Sequence, residues 1–195
     1  MKIVGLTGSV GMGKSTAATM LRRMGVPIYD ADAAVHQMMR RGGIAVARVA
    51  VAFPGVEKNG AIDRSALGPR VFGNDVAMKK LESIIHPLVR EDERRFLAAM
   101  RRRKTKLVVM DVPLLFESGR HRRYDSVMVV SAPEFVQRAR VLKRPGMNPA
   151  RLAAIKARQM PDAEKRRRAD FIVPSGQGRA VTWRKLRQVL RGLEA

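Results

Sequence analysis

The sequence has no cysteine and no long apolar run. Without cysteine the chain cannot form a disulfide framework, a thiolate zinc site or a cysteine nucleophile, so any catalysis must use oxygen and nitrogen groups. No apolar run approaches the roughly 18 residues of a membrane span, and a glycine-rich segment stands where a secretory signal would have its apolar core. We therefore expect a cytoplasmic protein with no membrane partner.

Acidic and aromatic residues are also scarce. The 195 residues include 17 Asp and Glu against 39 Lys and Arg, which gives a net charge of +22 and predicts an anionic partner. Aromatic residues make up only 5% of the chain and are not interleaved with the basic runs, so no stacking platform for bases is indicated. The hydrophobic share of 46% suffices for a packed core and excludes a disordered basic tail.

Five short apolar, β-branched runs predict five buried parallel strands. Their apolarity is nearly continuous rather than alternating, which is typical of a parallel sheet covered by helices on both faces. The runs are residues 3–6, 26–29, 107–110, 127–130 and 171–173. Between Asp32 and Lys106 no strand is predicted, and helix-like periodicity indicates a helical insertion. We therefore predict an α/β fold with a five-stranded parallel sheet flanked by helices and a helical insertion.

The sequence GSVGMGKS at residues 8–15 matches the full phosphate-loop (P-loop) pattern, directly after a predicted strand and directly before a predicted helix. Backbone N–H groups of such a loop cradle phosphates at a helix N-terminus. Lys14 is then expected to reach the β- and γ-phosphates, and Ser15 to offer its hydroxyl to Mg²⁺. The pattern predicts a site for a nucleoside triphosphate and says nothing about the acceptor.

Carboxylates follow two of the predicted strands. Asp30 and Asp32 come after the second strand, at the sheet edge where ligands bind in parallel α/β folds. A carboxylate there can accept the proton of an attacking hydroxyl, although Asp32 also stands where a helix N-cap would fall. Asp111 follows the third strand, where it would either hold Mg²⁺, directly or through water, or serve as a turn residue at the strand end.

Further short stretches accompany these motifs in a fixed order along the chain. Together with residues 5–8 and 30–32 they are residues 85–88 (IHPL) and 113–117 (PLLFE), then Gln137 with Arg140 and Arg144, Gln159, and Lys165 with residues 169–170. In the order and spacing of all these stretches, rather than in one of them, the chain resembles the dephospho-CoA kinase family from Lys2 to about Gly192.

The resemblance implies a P-loop kinase fold in three parts. These are a core at residues 1–32 and 106–195, a lid over ATP at about 138–165 within it, and a mainly helical substrate domain at 33–105. The implied reaction is phosphorylation of the ribose 3′-hydroxyl of dephospho-CoA by ATP with Mg²⁺, giving coenzyme A and ADP in the last step of coenzyme A synthesis. We expect a monomer that binds these small substrates and no specific nucleic acid.

The resemblance also implies a role for particular residues. The catalytic set is Asp32 as base with Lys14 and Arg140, and the metal ligands are Ser15 and Asp111. The implied ATP-binding residues are Gly8, Gly11, Met12, Gly13, Lys14, Ser15, Thr16, Arg140 and Arg144. The implied substrate-binding residues are Thr7, Asp32, Arg64, Arg70, His86 and Leu115. From the sequence alone, His86 is equally compatible with a capping or packing histidine before a proline.

Two alternative functions share some of these features. Another small-molecule P-loop kinase, acting on a nucleoside or sugar hydroxyl, would have the same loop, Asp32 and lid arginines, but not the His86-Pro87 and PLL stretches. A nucleic-acid-binding protein with an incidental P-loop would explain the charge of +22. It would explain neither Asp32 beside the loop nor the lack of stacking aromatics.

Overall fold

The computed structural model describes residues 1–194. The chain divides into two compact units, one formed by Met1–Tyr29 with the chain from Lys104 onward, and the other by Asp30–Arg103. In chain order the elements are β1 (Lys2–Thr7), α1 (Lys14–Arg23), β2 (Ile28–Asp30), α2 (Ala31–Met38), α3 (Val46–Ala52), β3 (Glu57–Lys58), β4 (Ala61–Ile62), α4 (Arg64–Val71), α5 (Asp75–Arg102), β5 (Leu107–Asp111), a 3₁₀ turn (Arg120–Arg123), β6 (Ser126–Ser131), α6 (Glu134–Leu142), α7 (Pro149–Ala157), α8 (Asp162–Arg167), β7 (Phe171–Pro174) and α9 (Arg179–Glu194).

The main sheet has five strands in the order β2-β5-β1-β6-β7. β1 pairs in parallel with both β5 and β6, and β6 pairs in parallel with β7. The prediction of a five-stranded parallel sheet in an α/β fold is therefore confirmed. Since parallel strands end at the same edge, the segments that follow β1, β5, β6 and β7 all leave the sheet on one side.

The core of the first unit lies between the sheet and the helices α1 and α9. Val4 and Leu6 of β1 are fully buried there, together with Leu21 of α1 and Leu186 of α9. Burying a side chain of this size stabilises a fold by about 1.5–3 kcal/mol. The packing of α1 onto β1 places the loop between them, residues 8–13, at the edge where the strands end.

The second strand begins later than predicted. The apolar run starts at residue 26, but Val26 N donates to the carbonyl oxygen of Leu21 at 3.1 Å and so belongs to the turn that caps the C-terminus of α1. Gly25, with φ of 81°, turns the chain out of that helix. The strand therefore starts at Ile28 and extends to Asp30.

The second unit packs α2 to α5 around its own apolar core. Val49, Val56 and Ile85 belong to this core. The prediction of no strand between residues 32 and 106 is wrong at one place, because β3 and β4 form a short antiparallel hairpin. Its turn consists of Asn59 and Gly60, both with positive φ (53° and 76°), as a type I′ turn requires.

Helix α5 spans 28 residues and continues through Pro87. It begins after Asn74, whose side chain accepts a hydrogen bond from Ala77 N at 3.0 Å and caps the first turn. Despite this length it carries charged residues throughout. Within residues 1–194, the structure contains no helix that is both long and apolar enough to span a membrane.

Candidate active site

The P-loop runs very close to its neighbours in the first unit. A Cβ atom on Gly8 would lie 2.7 Å from the carbonyl oxygen of Val130 in β6. A Cβ on Gly11, which has φ of 75°, would lie 2.5 Å from Cγ2 of Val141 in α6. These distances are shorter than van der Waals contact, so only glycine fits at either position. The loop is thus held between β6 and α6.

Lys14 and Asp111 form an ion pair at the edge of the sheet. Lys14 is the first residue of α1 and Asp111 the last residue of β5, and Lys14 Nζ donates to Asp111 Oδ1. Their side chains are 17% and 3% exposed, so the pair is largely shielded from water. The P-loop lysine and the strand-end carboxylate that the sequence singled out are therefore in direct contact.

The oxygen groups beside the loop fit a magnesium site. Ser15, next to Lys14, is exposed and offers a hydroxyl, and Asp111 offers a carboxylate. The described part of the chain contains no cluster of three or more histidine, aspartate or glutamate side chains that could hold a metal by itself. Mg²⁺ usually takes only one or two protein oxygens and completes its shell with water and substrate phosphates. The donor set present is of that kind.

Arg140 reaches from α6 to the P-loop and to the segment after β7. Its Nη1 donates to Ser175 Oγ at 3.0 Å and to the carbonyl oxygen of Gly11 at 3.5 Å, and its Nη2 donates to the carbonyl oxygen of Ser175 at 2.6 Å. Ser175 Oγ in turn donates to the carbonyl oxygen of Met12 at 2.6 Å. Arg140 and Ser175 therefore hold the loop from outside. Arg144, in the turn after α6, is exposed.

The structure places Thr7 and Leu115 in the interior of the first unit. Both side chains are fully buried, and Thr7 Oγ1 donates to the carbonyl oxygen of Pro113 at 2.9 Å. This hydrogen bond joins the end of β1 to the segment that follows β5. In the described structure the two side chains thus position that segment rather than line an open surface.

A buried ion pair lies behind this segment and was given no role from the sequence. Lys165 of α8 has no exposed surface, and its Nζ lies 2.8 Å from Glu117 Oε1. The same oxygen accepts a hydrogen bond from Met160 N at 2.8 Å. Burial by itself raises the pKa of Glu117, but the hydrogen bonds from Lys165 and backbone N–H groups, with the charge of Lys165, outweigh it and lower the pKa below its ordinary value.

The residue that caps α2 is Asp30 and not Asp32, which corrects one interpretation of the sequence. Asp30 Oδ1 accepts a hydrogen bond from Ala33 N at 3.0 Å, so its carboxylate has a structural role at the helix start. Asp32 lies in the first turn of α2 and is exposed. The N-cap explanation for Asp32 is therefore removed, and its carboxylate is accessible.

In the second unit, the structure brings Arg64 to the face of α2 that carries Asp32. Arg64 Nη1 lies 3.0 Å from His36 Nδ1, and because a guanidinium can only donate, His36 Nδ1 is the acceptor. His36 follows Asp32 by one helical turn and so lies on the same face. His36 had no role in the sequence analysis, since a single histidine on a helix gives no pattern to detect.

The structure does not cluster the other predicted substrate residues of this unit. Arg70 donates from Nη1 to the carbonyl oxygen of Pro54, in the segment after α3. His86 is exposed on α5. Arg64 and Arg70 thus lie on α4 with different partners, and His86 lies on α5.

Comparison with known proteins assigns the family. The family model of CoaE, dephospho-CoA kinase, matches residues 2–179. The dephospho-CoA kinase of Paramagnetospirillum magneticum is 64% identical over 166 residues, which are 85% of this chain and 78% of that protein. The chain belongs to the dephospho-CoA kinase family.

Solved structures agree with this assignment. The Thermus thermophilus protein TT1252 superposes with a TM-score of 0.84 at 33% identity, over 100% of this chain and 98% of that one. The dephospho-CoA kinase of Campylobacter jejuni gives a TM-score of 0.73 at 25% identity, over 98% and 96% of the two chains.

The predictions of a P-loop kinase fold and of dephospho-CoA kinase function are confirmed. The enzyme is a phosphotransferase of the family that catalyses the final step of coenzyme A biosynthesis, with ATP as a substrate. Membership in the dephospho-CoA kinase family decides against both alternative functions.

The Glu117–Lys165 pair predicts a loss of stability that depends on pH. Replacing Glu117 by glutamine leaves the buried Lys165 ammonium without a counter-charge, so we expect a loss of about 3–5 kcal/mol in the free energy of unfolding at pH 7. Because the pKa of Glu117 is lowered in the folded state, its contribution is complete above an ordinary pKa of 4.5 and is lost as the pH falls below that value. Urea titrations of both proteins from pH 7 down to pH 3.5 measure this difference.

Glu134→Gln is the matched control, because Glu134 pairs with Lys156 at the surface, where the two side chains are 77% and 42% exposed. That variant should unfold at nearly the wild-type urea concentration. Equal losses for the two variants, or a Glu117→Gln difference that does not shrink at low pH, would contradict the prediction.

Proposed function

We propose that the enzyme transfers the γ-phosphoryl group of ATP to the ribose 3′-hydroxyl of dephospho-CoA, forming coenzyme A and ADP. The observation that carries the proposal is the contact of Lys14 with Asp111 beside a complete P-loop, in a chain of the dephospho-CoA kinase family. The P-loop indicates a site for the phosphates of ATP, and membership in the family indicates dephospho-CoA as the acceptor. The proposed enzyme is a cytoplasmic monomer without a nucleic-acid or membrane partner.

The P-loop binds the triphosphate through its backbone. In a loop of this kind the N–H groups at the start of the following helix face the phosphates, and the partial positive charge of the helix N-terminus favours an anion there. Lys14 adds a full positive charge at the β- and γ-phosphates. The proposed ATP-binding residues are Gly8, Gly11, Met12, Gly13, Lys14, Ser15, Thr16, Arg140 and Arg144.

Ser15 and Asp111 are the proposed protein ligands of Mg²⁺. When bound, the ion would neutralise charge on the β- and γ-phosphate oxygens. Asp111 also holds the Lys14 ammonium, so the same carboxylate keeps the lysine at the phosphate end of the site.

Asp32 is the proposed base that accepts the proton of the 3′-hydroxyl. Its carboxylate is exposed in the first turn of α2, and Asp30 does the capping, so Asp32 is free of that structural task. Arg64 contacts His36, which lies on the same face of α2 as Asp32, and its guanidinium would pair with the anionic groups of the acceptor. The remaining proposed substrate residues are Arg70 and His86, with Thr7 and Leu115 acting indirectly, since their buried side chains position the segment after β5.

The two units are assigned different tasks. The unit Asp30–Arg103 is proposed as the substrate domain, and α6 to α8 as the lid over ATP, close to the ranges 33–105 and 138–165 expected from the sequence. Arg140 and Arg144 of the lid would bind the transferring phosphate, because a planar, permanently charged guanidinium matches its oxygens. A closed lid also excludes water, which would otherwise hydrolyse ATP.

The direct test is an assay of purified protein with Mg-ATP and dephospho-CoA that follows ADP and coenzyme A together. We expect equal amounts of both products, because phosphoryl transfer to the acceptor is the only use of ATP when water is excluded. Turnover of adenosine or a sugar, with no coenzyme A formed, would contradict the proposed acceptor.

Asp32→Asn tests the base. We expect kcat to fall by about 10²–10⁴, since a positioned base contributes that much to proton transfer, while the Kd for ATP stays within twofold. Asp75→Asn is the control, because Asp75 is also an exposed aspartate in the first turn of a helix of the same unit. If both variants retain wild-type kcat, Asp32 is not the base.

Arg140→Ala tests the lid arginine. We expect kcat to fall by about 10²–10³, as when one donor to a developing oxyanion is removed, and Arg140→Lys to recover only part of it because lysine lacks the planar fork. Arg138→Ala, an exposed arginine on the same helix, should leave kcat unchanged. Near-normal turnover of Arg140→Ala would place the phosphate-binding arginine elsewhere.

A further inference from the structure

Val10, in the P-loop, is bound on both of its backbone polar groups by glutamine side chains, which therefore hold the two peptide units that flank its Cα. Val10 N donates to Gln159 Oε1 at 3.0 Å, and Gln137 Nε2 donates to the carbonyl oxygen of Val10 at 2.8 Å. A backbone N–H can only donate and a carbonyl can only accept, so the orientation of each amide is fixed. Gln159 must therefore present its oxygen and Gln137 its nitrogen.

The two glutamines come from different elements of the lid region. Gln137 lies on α6, one helical turn before Arg140, and is only 3% exposed. Gln159 lies in the segment between α7 and α8, and that segment is itself fixed to the core. Met160 N donates to Glu117 Oε1 at 2.8 Å, and Ser131 Oγ at the end of β6 donates to Asp162 Oδ2 at 2.7 Å.

We propose that Gln137 and Gln159 are positioning residues that preset the P-loop for the triphosphate. The Val10 N–H donates to Gln159 and so would not be available to a phosphate, while Gly11 next to it would otherwise leave the backbone free to rotate. Fixing the backbone on both sides of Val10 before ATP binds removes a conformational cost from binding. The proposal rests on the proposed function, since it concerns binding of the same ATP.

The two hydrogen bonds run in opposite directions, so a glutamate substitution is expected to preserve the bond at position 159 and to abolish it at position 137. Gln159→Glu keeps an acceptor for Val10 N, whereas Gln159→Met removes it. Gln137→Glu loses the donor and sets a carboxylate against the Val10 carbonyl, whereas Gln137→Met only removes the donor. Both glutamate variants add the same charge near the phosphates, so the difference between the two sites reports hydrogen-bond direction and not charge.

The readouts are the Kd of a non-hydrolysable ATP analogue with Mg²⁺, the KM and kcat with ATP and dephospho-CoA, and the melting temperature. We expect Gln159→Met to raise the Kd and KM about three- to tenfold, the effect of one net hydrogen bond, with kcat within twofold of wild type. Gln159→Glu should recover most of this loss. Gln137→Glu should bind more weakly than Gln137→Met.

Gln188→Met, an exposed glutamine on α9, is the control and should change neither constant. Because Gln137 is buried, its variants are compared only if their melting temperatures show a folded protein at the assay temperature. Gln159→Met and Gln159→Glu test the proposal without them. Wild-type Kd in Gln159→Met, or Gln159→Glu weaker than Gln159→Met, would overturn the proposal. Binding of the ATP analogue depends on the hydrogen bonds of Gln137 and Gln159 to Val10 even if dephospho-CoA is not the acceptor. Failure of this proposal and failure of the proposed function are therefore distinguishable.

Discussion

The close approach of backbone at the P-loop is the constraint on which the rest of the site depends. A Cβ on Gly8 would meet the Val130 carbonyl at 2.7 Å, and one on Gly11 would meet Val141 at 2.5 Å. Because the loop can come this near to β6 and α6, Arg140 reaches the carbonyl of Gly11 and Gln137 reaches that of Val10. Helix α6 and the phosphate site are thus one assembly. A side chain at Gly11 would push the loop away from α6 and displace Arg140 with the helix, and one at Gly8 would push the loop away from β6.

The sequence predicted the strands well because burial on both faces leaves a continuous apolar signal. It predicted less well where local hydrogen bonds override that signal. Val26 belongs to an apolar run that predicts a strand, but it lies in the turn that caps α1. Asp30 takes the N-cap position of α2 that the sequence offered to Asp32. The β3–β4 hairpin has strands too short to show a period, and only its Asn59-Gly60 turn could have indicated it. Pairing, more than propensity, decides these short segments.

The P-loop, Lys14 and Asp111 were predictable because they stand at fixed offsets from strand ends. The side chains that support them were not. Val10 and Gln159 are separated by 149 positions, and nothing in a glutamine's surroundings in the chain indicates whether its oxygen or its nitrogen is used. Lys165 lies in a basic run that suggests a solvated surface, yet it is fully buried against Glu117. Much of the remaining excess charge is exposed, where it can raise the encounter rate of anionic substrates.

The strand order has a consequence for how the protein is made. β1 lies between β5 and β6 in the sheet, although both come much later in the chain. A ribosome releases β1 and the P-loop first, so their backbone groups have no sheet partners until Leu107–Asp111 and Ser126–Ser131 have emerged. The loop gains its last support only with Ser175, whose hydroxyl donates to the Met12 carbonyl. Since a ligand stabilises only a chain that can bind it, ATP can assist the folding of this protein only near the end of its synthesis.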